Sequence, residues 1–411
     1  MFKKLYKEKN MKKLTILTLD NDANGVSSEG IKVPRTLPGE EVTIIENKLN
    51  LIKPSKDRRI PVCKHYSECG GCSTQHATED FIKYWKLNKI KSYLSERGIK
   101  TDIKPVITSP HEARRRATFH GLKTKKDVIV GFFKKKTRDL VSTDSCKVVD
   151  AQIISRFDLY KKLTKIGASR KSVLKISTTV SETGLDINIS NGKPLNVELK
   201  LKVTKICHEF KVARLTWNDE LIAQFSIPII NFNGISVKII PKTFLQATKE
   251  GEETLIKNVV NSITDANKVI DLFSGCGTFS LPAAKTAKIL AIDKSDAMIS
   301  TIETAWRSNI GLREIRCRTQ DLFQVPVLKD ELNLFDAAII DPPRSGAEVQ
   351  TRELAKSKIT RISSVSCNPK TFSRDAEILI KSGFKLDWVQ PVDQFLWSSH
   401  IELVSQFSRQ N

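Results

Sequence analysis

Residues 268–293 read KVIDLFSGCGTFSLPAAKTAKILAID. The run 268–273 is short and largely apolar, which predicts a buried strand. Gly275-Cys276-Gly277 then break it, a helix is expected from Thr278, and a second strand, 288–293, ends at Asp293. Strand, glycine turn, helix and strand make one βαβ unit of a doubly wound parallel sheet. Such sheets bind ligands beyond the carboxyl ends of their strands. The glycines let a nucleotide-like ligand approach the backbone, and an acidic side chain about 20 residues on accepts hydrogen bonds from ribose hydroxyls. This spacing leaves NAD and S-adenosylmethionine both open.

Working outward, the alternation continues through 241–411. Helices are expected at 296–309 and 371–382, strands at 336–341 and 361–367, and a closing hairpin from 385–391 and 401–407. Three further motifs sit at strand ends in this frame. In DPPRSG (341–346) two prolines force a rigid extended exit that holds Asp341 at the cleft. Dehydrogenases have no need of this element, whereas base-modifying methyltransferases commonly carry it. Amino-methylating enzymes usually stack the base on an aromatic after the prolines, where this chain has Arg344. In SCNPKTFSRD (366–375), Cys367 ends a strand beside a helix N-terminus, a setting expected to lower a thiol pKa and make a nucleophile. In HIE (400–402), Glu402 starts the final strand within reach of the cleft as a general base. A thiol and a carboxylate beside S-adenosylmethionine suit methylation at uracil C5. The thiol adds to C6, the enolate takes the methyl group, and the base removes the C5 proton before elimination. A base inside a helix would have to be flipped out.

The 411 residues exceed one ordinary core, and three parts are expected: 1–55, 56–240 and 241–411. Turn signals at Asn24-Gly25 and Pro38-Gly39, with a strand at 41–46, suggest a small β-barrel in the first. The second opens with a cysteine-rich loop, then a helix at 80–97 with apolar Phe81, Trp85, Leu87, Ile90 and Leu94. Helices near 151–166 and 195–209 and strands at 116–121, 128–133, 173–179, 185–190 and 211–217 follow. The formal net charge of +22 is uneven: residues 1–250 hold 48 basic and 26 acidic side chains, residues 251–411 hold 20 of each. The basic half points to nucleic acid. Arg114, Arg115 and Arg116, followed by two lysine-rich runs among Phe119, Phe132 and Phe133, mark the expected binding surface. No apolar run reaches the ~18 residues of a membrane helix, and the basic start lacks a secretory apolar core, so a cytoplasmic, non-membrane protein is expected. Nothing implies an obligate protein partner.

Such a chain is not expected to carry disulfides. Cys63, Cys69 and Cys72 in CKHYSECGGC read as metal ligands, and Cys146 is the nearest fourth; the spacing leaves zinc and iron–sulfur open.

Together these motifs resemble the RNA uracil-C5 methyltransferases, especially the iron–sulfur-containing branch that makes 5-methyluridine in 23S rRNA. The resemblance covers nearly the whole chain. VPRTLPGEEV (33–42) is similar to the family's RNA-binding TRAM barrel, and the four cysteines to its 4Fe–4S site. The implied fold is α/β: a Rossmann-like S-adenosylmethionine-dependent methyltransferase domain with an N-terminal TRAM-like β-barrel and an α+β central domain. The resemblance implies a cofactor site of Gln246 (in FLQAT), Phe273, Thr278, Asp293, Asp321 (in QDLF) and Asp341. It implies Cys367 as nucleophile, Glu402 as base, and an RNA substrate, with ribosomal RNA favoured and a tRNA uracil-C5 methyltransferase as the alternative. Three positions depart from the family pattern: Thr248 replaces asparagine in F-x-Q-x-N, Asp293 replaces glutamate, and Ala113 replaces the tyrosine before the arginines. A cytosine-C5 methyltransferase would usually carry a Pro-Cys pair, absent here, and a non-catalytic RNA-binding assembly factor would have no need of Cys367, Glu402 and Asp341 together.

Overall fold

A computed structural model describes residues 12–45, 48–169 and 172–409. The first eleven residues of the basic start, and Glu46 at the end of the expected barrel strand, lie outside them.

Five antiparallel strands come first: β1 (Lys12–Leu19), β2 (Asn24–Ser27), β3 (Lys32–Pro34), β4 (Glu41–Ile45) and β5 (Lys48–Lys53). Their order is β3-β2-β1-β4-β5, because β1 pairs β4 with its first half and β2 with its second. Leu14, Ile16, Val33, Val42 and Ile44 fill the inside.

The cysteine-rich stretch leads to α1 (Glu79–Ser95), capped by Thr78. Its inward face is Ile82, Lys86, Ile90 and Leu94, so a lysine stands where the sequence suggested Trp85 and Leu87. β6 (Asp102–Ile103) and β7 (Ile107–Thr108) follow. The central sheet holds β8 (Arg116–Lys123), β9 (Val128–Phe133), β10 (Leu140–Ser142), β11 (Leu174–Ser181), β12 (Gly184–Ser190), β13 (Arg214–Trp217) and β14 (Glu220–Gln224), in the order β10-β9-β8-β11-β12-β13-β14. Three helices accompany it: α2 (Ala151–Ile154), α3 (Phe157–Gly167) and α4 (Val197–Glu209). The first expected helix is thus two, divided at Ser155-Arg156. α3 and α4 cover one face with Leu159, Leu163, Val203 and Cys207. The hairpin β15 (Ile229–Phe232) and β16 (Ile235–Lys238) leads to the last part.

That part contains α5 (Lys249–Ser262), β17 (Lys268–Leu272), α6 (Ser280–Ala283), β18 (Lys288–Asp293), α7 (Asp296–Ser308), β19 (Ile315–Thr319), α8 (Lys329–Leu332), β20 (Ala337–Ile340), α9 (Glu348–Lys356), β21 (Arg361–Ser366), α10 (Pro369–Lys381), β22 (Lys385–Asp393) and β23 (Glu402–Ser408). The sheet order is β19-β18-β17-β20-β21-β23-β22-β6. β17 to β21 are parallel, as the βαβ reading expects; β23 runs antiparallel beside β21, and β22 is antiparallel to β23. The strand order reverses between β17 and β20, which opens a crevice there.

One arrangement departs from the expected division of the chain. β6 and β7 pair with β22, and Ile90, Leu94 and Ile99 pack into the core around β20 and β21. Residues 79–108 therefore extend the C-terminal sheet, although their sequence neighbours are in the central part. A small separate core ties four segments together: Leu37 from the N-terminal sheet, Ala77 from the cysteine loop, Ile82 from α1, and Leu396 and Trp397 from the loop before β23.

Candidate active site

Three consecutive strands of the sheet deliver the expected chemistry to one place. Asp341 follows β20, Cys367 follows β21 and Glu402 opens β23. Ser366 pairs with Leu403 in the antiparallel ladder, so one step outward sets Cys367 across from Glu402. Opposed residues in such ladders have Cα atoms about 4.5–5.5 Å apart. The DPPR turn and the cysteine segment are stitched together: Asn368 Nδ2 donates to the Arg344 carbonyl at 3.0 Å, and the Thr371 hydroxyl donates to the same oxygen at 3.3 Å.

The surroundings overturn the expected low thiol pKa. Burial pushes Cys367 up to about 11, the Glu402 and Asp341 carboxylates add to the shift, and Arg344 opposes it. The following helix gives little relief, because the Asn368 side chain caps α10 by accepting from Lys370 N–H at 3.1 Å. Glu402 is 4% exposed. Burial and Asp341 raise it to about 8, against the pull of Gln394, Arg344 and Arg116. Asp341, partly open to the cleft, is raised to about 7 by desolvation.

The cofactor residues expected at β17 and β18 gather at the crevice. Phe273 has φ +64°, a conformation uncommon for a residue with a side chain, and its ring lies 5.4 Å from that of Phe323. Gly275 has φ +54° and open space where a Cβ would stand, as close approach of a ligand to the turn requires. Asp293 accepts from Gly275 N–H at 3.0 Å and from Ser295 N–H at 2.9 Å. Half-buried Thr278 faces the Cys276 thiol. Asp321 accepts from Phe323 N–H at 3.0 Å and so shapes its own loop. These residues fit a nucleoside-bearing cofactor. Gln246 is buried in the loop before α5, its Oε1 accepting from Gln394 Nε2 at 2.6 Å. Thr248, which stands where the family has asparagine, caps α5 by accepting from Gly251 N–H at 3.1 Å and meets the Ser109 hydroxyl at 2.6 Å.

The arginine triplet divides, and one member needs correction. Arg115 is buried, ion-paired with Glu252, and donates from Nε to the Gln246 carbonyl at 3.0 Å. It supports the cofactor side and is not presented to RNA. Its neighbours alternate to the other face, where Arg114 and Arg116 line a cavity of about 750 Å³ shared with Cys72, Cys146, Phe395 and His400. Arg116 lies 4.1 Å over the Phe244 ring, and burial lowers it to about 10.

All four expected ligand cysteines line that cavity. The Cys72 thiol is pushed up to about 12, first by burial and also by Cys146, Cys69 and Cys63, so the sulfurs sense one another. Gly70 lets the loop press on β9: a Cβ there would come within 3.0 Å of the Phe133 carbonyl. Among the described residues no group of three or more His, Cys, Asp or Glu is set to hold a metal ion. The four thiols thus share one cavity wall without forming a metal-holding set. Ser73 and Thr74 N–H donate to the Trp397 carbonyl at 2.7 and 3.1 Å, tying the cysteine loop to the loop that precedes Glu402.

Two functional candidates escaped the sequence reading. Lys86 is completely buried and its Nζ donates to Asp393 Oδ2 at 2.6 Å. Gln394 carries no motif; only its place eight residues before Glu402 hints at a role.

A family model described as tRNA (Uracil-5-)-methyltransferase matches residues 83–409. A Brucella suis protein named only as an uncharacterized RNA methyltransferase is 35% identical over 96% of this chain and 97% of its own length. The 23S rRNA (uracil(1939)-C(5))-methyltransferase RlmD of Aliivibrio fischeri is 26% identical over 97% of each chain. Among solved structures, the Pyrococcus abyssi tRNA (uracil-54, C5)-methyltransferase with S-adenosyl-L-homocysteine shares the fold, with a TM-score of 0.76 at 22% identity over 96% of this chain and 100% of the other. No helix among the described residues is long and apolar enough to cross a membrane.

Proposed function

The chain belongs to the RNA uracil-C5 methyltransferase family, and we propose that it methylates uracil C5 in ribosomal RNA through a covalent adduct on Cys367, with Glu402 as the base. The observation that carries this reading is the opposition of Cys367 and Glu402 on neighbouring strand ends, with Asp341 on the next strand. S-adenosylmethionine, when bound, supplies the methyl group. Cys367 loses its proton and its sulfur bonds to C6 of the flipped uracil, placing negative charge on the ring. That charge makes C5 nucleophilic, and C5 gains the methyl. Glu402 then removes the C5 proton, the sulfur–C6 bond breaks, and the thiolate leaves. The raised thiol pKa means Cys367 is mostly a thiol when alone; Arg344 is the cation beside it that favours the thiolate. Asp341 would orient the pyrimidine, and Gln246, Phe273, Thr278, Asp293 and Asp321 would hold the cofactor.

The basic parts before residue 241, with Arg114 and Arg116 on the cavity wall, would hold the RNA in the cytoplasm. Cys63, Cys69, Cys72 and Cys146 would hold a 4Fe–4S cluster, in keeping with their shared cavity and mutual electrostatic influence. The methyl transfer needs no electron, so the cluster's part is to shape the loop against Trp397. Ribosomal RNA is favoured by the Aliivibrio relative named for 23S rRNA, which matches end to end.

RNA containing 5-fluorouridine tests the chemistry, since fluorine at C5 cannot leave as a proton and the adduct stalls. A covalent complex that disappears in Cys367→Ala supports the proposal; no complex with folded protein, cognate RNA and cofactor refutes it. Mapping 5-methyluridine in a deletion strain decides the RNA, and loss from tRNA alone would overturn the ribosomal assignment. Anaerobically purified protein should show the visible charge-transfer absorption of an iron–sulfur cluster; stoichiometric zinc without iron would refute the cluster.

A further inference from the structure

The side chain of Gln394 sits between the cofactor side and the base. Its Nε2 donates to Gln246 Oε1 at 2.6 Å and to Glu402 Oε2 at 3.3 Å, and its Oε1 accepts from Ala247 N–H at 2.7 Å. All three groups are buried. The amide orientation follows from chemistry: a backbone N–H can only donate, so the end facing Ala247 is the oxygen and the end facing Gln246 and Glu402 is the –NH2. Gln246 must then offer its own oxygen, and its –NH2 is not spent on this contact. The fit is close as well as complete. Gly251 in α5 leaves room for Gln394, since a Cβ there would come within 2.9 Å of the Gln394 Cβ. The residue is also aimed from behind: Asp393, next to it, is gripped by Lys86 and by Phe395 N–H at 3.1 Å.

We propose that Gln394 is a positioning residue that couples the two halves of the site, fixing the Gln246 amide and orienting the Glu402 carboxylate toward the substrate. This rests on Glu402 being the base. The charged or titratable groups that face Glu402 are Asp341, Arg344, Arg116 and the Cys367 thiol, and none of them takes over the amide's hydrogen bond. Because the amide donates, it favours the carboxylate form; removing it must make Glu402 harder to ionise.

Three variants are compared with ordinary uridine RNA. Glu402→Gln should stall after methyl transfer and accumulate a methylated covalent complex. Gln394→Leu should fold, lose roughly ten-fold or more in turnover, accumulate some of the same complex, and move the ascending limb of its pH profile upward by about one unit. Gln394→Glu keeps the acceptor for Ala247 and replaces the donor by a charge, so its limb should move further still. Full turnover by Glu402→Gln overturns the base assignment itself. A stalled Glu402→Gln beside Gln394 variants with wild-type limbs and no accumulated complex overturns the positioning role alone. Circular dichroism separates either result from misfolding; if Gln394→Leu does not fold, Gln394→Glu decides.

Discussion

Replacing Lys86 by methionine tests how the loop before β23 is held. The Lys86 and Asp393 side chains are 0% and 1% exposed and meet at 2.6 Å. Lys86 also approaches the Phe395 carbonyl at 3.4 Å. Methionine fills much the same volume but abandons the Asp393 carboxylate in a dry site. Removing one partner of a buried pair costs about 3–5 kcal/mol, because the remaining charge is uncompensated. Total stabilities are about 5–15 kcal/mol, so the loss is a large fraction. For a unit of this size it corresponds to a fall in melting temperature of roughly 6–20 °C. The second variant separates charge from shape. Lys86→Met with Asp393→Asn removes both charges and leaves Oδ1 to accept from Phe395 N–H. Thermal unfolding followed by circular dichroism should show the double variant recovering much of the loss, a positive coupling that a double-mutant cycle isolates. A fall below about 2 °C in Lys86→Met, or a double variant no more stable than the single, would refute the reasoning.

Further outcomes follow from the site. Charge reversal at Arg114 and Arg116 should weaken RNA binding in a filter assay and leave S-adenosylmethionine affinity intact, whereas Arg115→Ala should lower the melting temperature and cofactor affinity through Gln246 and Glu252. With Glu402 raised from 4.5 to about 8, the native state binds a proton that the unfolded chain gives up across that interval, so this group costs stability as pH rises from about 4.5 to 8. Glu402→Gln should flatten that part of the stability–pH curve in denaturant titrations; an unchanged slope contradicts the shift. Gly275→Val should weaken cofactor binding in calorimetry and also lower thermal stability, because its side chain fills the open space at the turn while a φ of +54° strains a branched residue.

What could be read from the chain depended on how far its causes lay. β18 matches its expected span, because a buried parallel strand announces itself by an apolar run. β19 went unread, since IRCRT has the alternation of an exposed edge and no apolar run. The Cys367, Glu402 and Asp341 positions were legible as motifs, yet the direction of the thiol shift was not: it is set first by burial and then by carboxylates that two other strands bring beside it. Arg115 looked like its neighbours in sequence, and only the alternation of an extended chain turns it inward toward Glu252. Lys86 and Gln394 carry no local signature because their partners come from distant segments, Asp393 for one and Gln246 for the other.

The pairing of β6 with β22 has a consequence for how the chain is made. Thr101 and Leu386, hydrogen-bonded beside that edge, are 285 positions apart. At ribosomal rates of about 5–20 residues per second, the earlier segment waits roughly 15–60 s for its partner. During that interval the sheet from β8 to β14 can close on contacts already synthesised, while the apolar face of α1 stays exposed on the nascent chain. Synthesis that stops before β22 thus leaves β6 and β7 without the strand they pair with.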